Sequence, residues 1–138
     1  MTEPFTRIDA LPSHVGESVV LNGWLHNRRG SKGLAFLVLR DGTGFVQVVV
    51  NAEAVGDAVF EVASGLSQES AIRVEGTVRA DERQEGGVEV QADAVTLLAA
   101  AEDFPITPKE HGVEFLMDRR HLWLRSRRQW AVMRVRNR

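Results

Sequence analysis

Residues 23–50, GWLHNRRGSKGLAFLVLRDGTGFVQVVV, spell two short strands joined by a tight turn, with a glycine-containing strand leading into them. Strand side chains alternate between the two faces of a sheet. Leu37, Leu39, Val46, Val48 and Val50 therefore share an aliphatic face fit for burial, and Leu34, Phe36, Val38, Phe45, Gln47 and Val49 share the other. An aromatic ring and a carboxamide on an outer sheet face, beside Arg28, Arg29 and Lys32, provide what an unpaired base requires: a stacking surface, hydrogen bonds to the base edge and positive charge for phosphate. The plainer readings are that Phe36 fills a second apolar face and that the three cations are simply solvated.

Outward from this block the pattern is regular. Residues 18–28 read as a first strand, with Gly23 marking a bulge or sharp bend. Residues 34–40 and 45–50 are the second and third, separated by Asp41-Gly42-Thr43-Gly44, a composition suited to a hairpin turn. Arg40 and Asp41 are expected to form a local ion pair there. Between residues 53 and 66 the period changes, and Ala54, Ala58, Val59, Val62, Ala63 and Leu66 fall at helical spacing. Residues 71–80 and 88–97 are two more strands. Three strands, a helix and two strands is the order of the OB-fold, an all-β, five-stranded Greek-key barrel; the mid-chain helix selects it over an SH3-like barrel. Before the first strand, residues 8–15 are expected to form a helical turn or a loop.

The rest of the chain differs in character. Prolines at 105 and 108 end the last strand and mark a hinge, which divides the chain into a barrel over residues 1–100 and a short helical segment over 101–138. A short helix is expected from Pro108 to Asp118, and another from Arg127 that runs to Arg138 with no terminating glycine or proline, so that its continuation is expected beyond this sequence. Trp24 is expected to pack at the barrel rim.

Composition narrows the functional classes. The 138 residues are 43% hydrophobic, enough for one core. With no cysteine there is no disulfide framework and no thiolate metal site, and the four histidines lack metal-ligand spacing. No apolar run reaches about 18 residues and no signal-peptide pattern follows Met1, so a cytoplasmic protein is expected. The net charge of −2 conceals an asymmetry: residues 119–138 hold eight arginines and no acid, whereas residues 1–118 hold nine basic and nineteen acidic groups, a net −10. A nonspecific nucleic-acid clamp is usually basic throughout. Any nucleic acid bound by the barrel must be held by a local patch and base contacts.

The block at 23–50 resembles the N-terminal anticodon-binding domain shared by the aspartyl-, asparaginyl- and lysyl-tRNA synthetases of class IIb. A second block, FPITPKEHGVEFLMDRRHLWLRSRRQWAVMRVR at 104–136, looks like the hinge and approach to motif 1 of bacterial asparaginyl-tRNA synthetase. The resemblance implies that the barrel reads an anticodon with a central uridine. By position, Phe36 matches the residue stacked on that base, Gln47 the amide that hydrogen-bonds its edge, and Arg29 a basic residue that fixes it. Glu89 falls near a position that contacts the third anticodon base. Arg28 and Lys32 flank the platform as phosphate or base contacts. An amide offers one acceptor and one donor at fixed spacing, as a uracil edge demands, yet it can flip and pair with cytosine, so a second group must pin it. Arg29 is the candidate.

The resemblance further implies tRNA-Asn as partner, and a homodimeric asparagine-tRNA ligase as the whole enzyme. ATP and Mg2+ are expected in a catalytic domain absent from this chain, which itself holds no catalytic, cofactor-binding or metal residue. Arg73-Val74-Glu75 imitates the Arg-x-Glu of a class II active site but falls in a barrel strand, and is read as chance. The aspartyl enzyme, a stand-alone single-strand-binding module and a protein-interaction barrel remain the alternatives.

Overall fold

A computed structural model of the chain describes residues 4–107 and 109–138; the expected helix start at Pro108 lies outside the described residues. Two compact units divide it, Met1–Glu102 and Asp103–Arg138.

Five strands, β1 (Ser18–Ser31), β2 (Leu34–Arg40), β3 (Phe45–Asn51), β4 (Ala71–Ala80) and β5 (Val88–Ala99), close into a barrel in the order β1-β2-β3-β5-β4. All pairings are antiparallel except β3 with β5. This is an OB-fold. The inward residues follow the period-two pattern, with Leu25, Leu37, Leu39, Val48, Val50, Ile72, Val74, Val78 and Val90 all at 0% exposure. Each such side chain contributes about 1.5–3 kcal/mol by leaving water. Ile8 and Leu11, from a 3-10 helix over Ile8–His14, join the same core.

The helical connection between β3 and β4 is divided. Gly56, at φ +85, separates α1 (Ala52–Val55) from α2 (Asp57–Ser64). A residue in that left-handed region interrupts the hydrogen-bond ladder, and glycine adopts it without strain. Asn51 caps α1 by accepting the Glu53 N–H at 3.0 Å. Ala63 and Leu66 are buried, with Val55, Val59 and Phe60 packed against the same core.

Three local expectations are corrected. β1 runs past residue 28 to Ser31 and turns back through Lys32-Gly33 alone, with Gly33 at φ +70, a conformation that glycine adopts without strain. The bulge in β1 lies between Leu25 and Asn27 and not at Gly23. Gly23 instead permits a close backbone approach, since a Cβ there would sit 2.4 Å from the Arg40 carbonyl oxygen. Arg40 and Asp41 do not pair. Arg40 turns to Glu69, and both side chains are buried. Asp41 instead accepts the Thr43 N–H at 2.9 Å and the Ile8 N–H at 2.8 Å, tying the β2–β3 turn to the 3-10 helix. Trp24 stands 38% exposed, with the Arg40 guanidinium carbon 5.1 Å from its ring centroid.

The second unit holds three short helices, α3 (Val113–Met117), α4 (Arg120–Trp123) and α5 (Arg127–Arg136). The helix expected to open at Pro108 begins at Val113, and α4 had no counterpart in the sequence reading. Aromatic rings are paired with cations: Arg119 lies 3.9 Å over Phe115 and Arg134 lies 4.8 Å over Trp130. His111 stacks on Phe115 at 4.7 Å.

Candidate nucleic-acid interface

The outer face of β2 and β3 is built by register. Val38 lies opposite Gln47 and Phe36 opposite Val49, so Phe36 and Gln47 are diagonal neighbours on one face. β1 contributes from one side, with Arg29 opposite Phe36. β5 contributes from the other, with Glu89 beside Gln47 in the parallel pairing. Val38 and Val49 are half-buried between these polar groups and floor the patch.

Contacts knit four of the predicted residues together. The Arg29 guanidinium carbon stands 5.1 Å from the Phe36 ring centroid, within cation–π range. Arg29 Nη2 donates to Gln47 Oε1 at 3.5 Å, and Gln47 Nε2 donates to Glu89 Oε2 at 3.4 Å. Both hydrogen bonds are long. Phe36, Gln47 and Glu89 are all intermediate in exposure and Arg29 is exposed. A flat ring, a donor–acceptor amide and a cation are therefore within reach of solvent on a rigid strand surface. That arrangement can stack a planar heterocycle and hydrogen-bond its edge.

The other two predicted residues stand apart from this cluster. Arg28, one step along β1, turns its Nε to the Leu66 carbonyl at 3.1 Å, against the segment that follows α2. Adjacent strand residues point to opposite faces, which separates Arg28 from Arg29. Lys32 occupies the exposed tip of the β1–β2 hairpin. Sequence reasoning did not include Arg79, which lies opposite Glu89 across β4 and β5. The alternation of β4 places Arg79 outward, and the antiparallel β4–β5 hairpin sets it beside Glu89.

The nearby β4–β5 loop has its own clamp. Arg83 donates to both carboxylate oxygens of Asp81 at 3.0 Å, and these bonds hold the Asp81 carboxyl below the usual carboxylate range. The Arg83 guanidinium is correspondingly harder to deprotonate, chiefly through Asp81 and to a lesser extent through Glu89. Among the described residues no group of three or more His, Asp or Glu side chains could hold a metal ion. No helix among them is long and apolar enough to cross a membrane.

Comparison with solved structures bears on the whole chain. The asparaginyl-tRNA synthetase of Pyrococcus horikoshii, complexed with asparaginyl-adenylate, matches at 37% identity and a TM-score of 0.87 over 99% of this chain and 32% of that one. A second structure of that enzyme matches at 38% identity and a TM-score of 0.86, over 99% and 33%. The aspartyl-tRNA synthetase of Entamoeba histolytica shares the fold at 20% identity and a TM-score of 0.82, over 97% and 35%. This chain thus spans about a third of the length of the synthetases it matches. The profile of the tRNA anticodon-binding OB-fold nucleic acid binding domain matches residues 19–98, which is more than half of the chain. With the closed barrel, its strand order and that match in hand, the chain belongs to the tRNA anticodon-binding family of OB-fold domains.

Proposed function

We propose that this chain is the anticodon-reading part of an asparaginyl-tRNA synthetase and that it holds tRNA-Asn by the central uridine of the anticodon. Phe36 stacks on the base, Gln47 accepts from its N3–H and donates to a carbonyl oxygen, and Arg29 supports the amide. The observation that carries this reading is the cluster itself: Arg29 reaches both the Phe36 ring, at 5.1 Å, and the Gln47 amide, at 3.5 Å. Lys32, at the exposed hairpin tip, is assigned to phosphate. Arg28 is assigned a supporting role through its bond to Leu66.

In this reading residues 103–138 are the hinge and first helices of a class II catalytic domain. Asparagine, ATP and Mg2+ are assigned to the two-thirds of the enzyme that this chain does not span, as is the bulk of a homodimer interface. The likeness to asparaginyl-tRNA synthetase at 37% identity along 99% of the chain favours asparagine over aspartate.

Replacing Phe36 by alanine tests the site. Loss of one base–aromatic stack weakens binding by about 1–3 kcal/mol, and titration of the variant with a fluorescent anticodon stem-loop is expected to show that loss with the melting temperature nearly unchanged. A ring that merely packed against the barrel would give the opposite result, unchanged affinity with lowered stability.

A further inference from the structure

The geometry points to Glu89 as a positioning residue that gives the Gln47 amide a single orientation and thereby separates uridine from cytidine. The inference rests on the proposed reading of the central anticodon base and deepens it.

A glutamine side chain has one carbonyl oxygen and one NH2 group, and rotation by 180° exchanges them. In one orientation it accepts from N3–H and donates to O4 of uracil. In the other it donates to N3 and accepts from N4–H2 of cytosine. An amide free to rotate serves both bases. Here it is flanked by groups of opposite and unambiguous hydrogen-bonding character. Arginine can only donate and an ionised carboxylate can only accept. Arg29 Nη2 lies 3.5 Å from Oε1, and Glu89 Oε2 lies 3.4 Å from Nε2. Flipping the amide would set donor against donor at one end and acceptor against acceptor at the other.

At these distances the directed bonds are weak, and the sign of each flanking group selects the orientation. Each amide group also keeps capacity for a ligand. The oxygen has a second lone pair beyond the one that Arg29 uses, and the nitrogen a second proton beyond the one given to Glu89. The base can therefore be read while the clamp stays in place. Glu89 is held there by the parallel register of β3 and β5, which sets it beside Gln47, and by the β4–β5 hairpin, which sets it opposite Arg79.

Glu89→Gln is the sharpest variant. It preserves size and strand position, but its amide can accept from Gln47 or donate to it, so the selection made at the Glu89 end is lost and only Arg29 is left to orient the amide. The full 138-residue chain is titrated with two anticodon stem-loops identical except for uridine or cytidine at the middle position. In Glu89→Gln the ratio of the two affinities is expected to fall about tenfold, the scale of one charge-assisted hydrogen bond. In a Gln47→Ala background the same change is expected to leave the ratio untouched, because the clamp then has nothing to orient.

The outcomes separate cleanly. An unchanged ratio in Glu89→Gln, where the parent chain does prefer uridine, overturns the positioning role and leaves the base-reading proposal standing. An effect that persists in the Gln47→Ala background also overturns it, since Glu89 would then be touching RNA directly. Equal loss for both stem-loops assigns Glu89 to structure or to a contact with another anticodon base, and is equally fatal. A parent chain without preference for uridine removes the underlying reading and this inference with it.

Discussion

Glu69→Ala is expected to lower the stability of the barrel by about 3–5 kcal/mol, the cost of leaving a buried charge without its partner. Glu69 and Arg40 are 3% and 11% exposed at the side chain and pair directly. Arg40 Nε is already buried without an acceptor among the described residues, so the guanidinium has little else to turn to. The pair joins the end of β2 to the segment that enters β4. That segment docks on β1 through the Glu69 N–H to the Leu25 carbonyl, at 2.7 Å, and the Leu25 N–H to the Ser70 carbonyl, at 3.0 Å. Glu69 sits at φ +70, a strained region for a side chain with a Cβ. Urea denaturation of the variant measures the loss. The double substitution Arg40→Met with Glu69→Gly, which removes both charges and the backbone strain, is expected to recover most of it. A loss below 1 kcal/mol for Glu69→Ala would show that solvent reaches the pair.

Gly76→Ala is expected to cost about 3 kcal/mol, the upper end of overpacking in a closed structure. A Cβ at Gly76 would lie 2.1 Å from the Gln91 carbonyl oxygen, 2.9 Å from its carbon and 3.0 Å from the Ala92 Cα, all of them backbone atoms. No side-chain rotation relieves such a contact. The register of β4 against β5 shifts between Glu75 and Gly76, and the missing side chain allows the two backbones to approach there. Separation of β5 would also carry Glu89 away from Gln47, so stem-loop affinity is expected to fall along with the denaturation midpoint. Gly30→Ala is the control, since its nearest neighbour would be 3.9 Å away; it is expected to change stability by less than about 0.5 kcal/mol.

The difference between what could be read in the chain and what could not is one of range. Alternation along residues 34–50 was enough to separate Leu37, Leu39, Val46, Val48 and Val50 from Phe36 and Gln47, because side-chain direction in a strand depends on parity alone. The helical period after residue 53 was enough to choose the barrel type. Contacts made by closure were out of reach. Glu89 meets Gln47 only because β3 and β5 pair in parallel across 42 positions of sequence. Arg40 likewise finds Glu69 across 29 positions, where a local reading assigned it to Asp41. At Gly23 a bulge, a sharp bend and a close backbone approach share one signature in sequence, and the neighbouring Arg40 carbonyl reveals the close approach. Arg28 and Arg29 are chemically indistinguishable in the sequence, and the run of the β1 strand sends one toward Leu66 and the other toward Phe36.

The central claim is that Phe36, Gln47 and Arg29 read the middle base of an anticodon. Its most direct test is the affinity of the 138-residue chain for anticodon stem-loops that differ only at that nucleotide. Uridine is expected to bind at least about tenfold more tightly than cytidine, since the wrong base leaves one charge-supported hydrogen bond unmade. Equal affinity for the two would contradict the account.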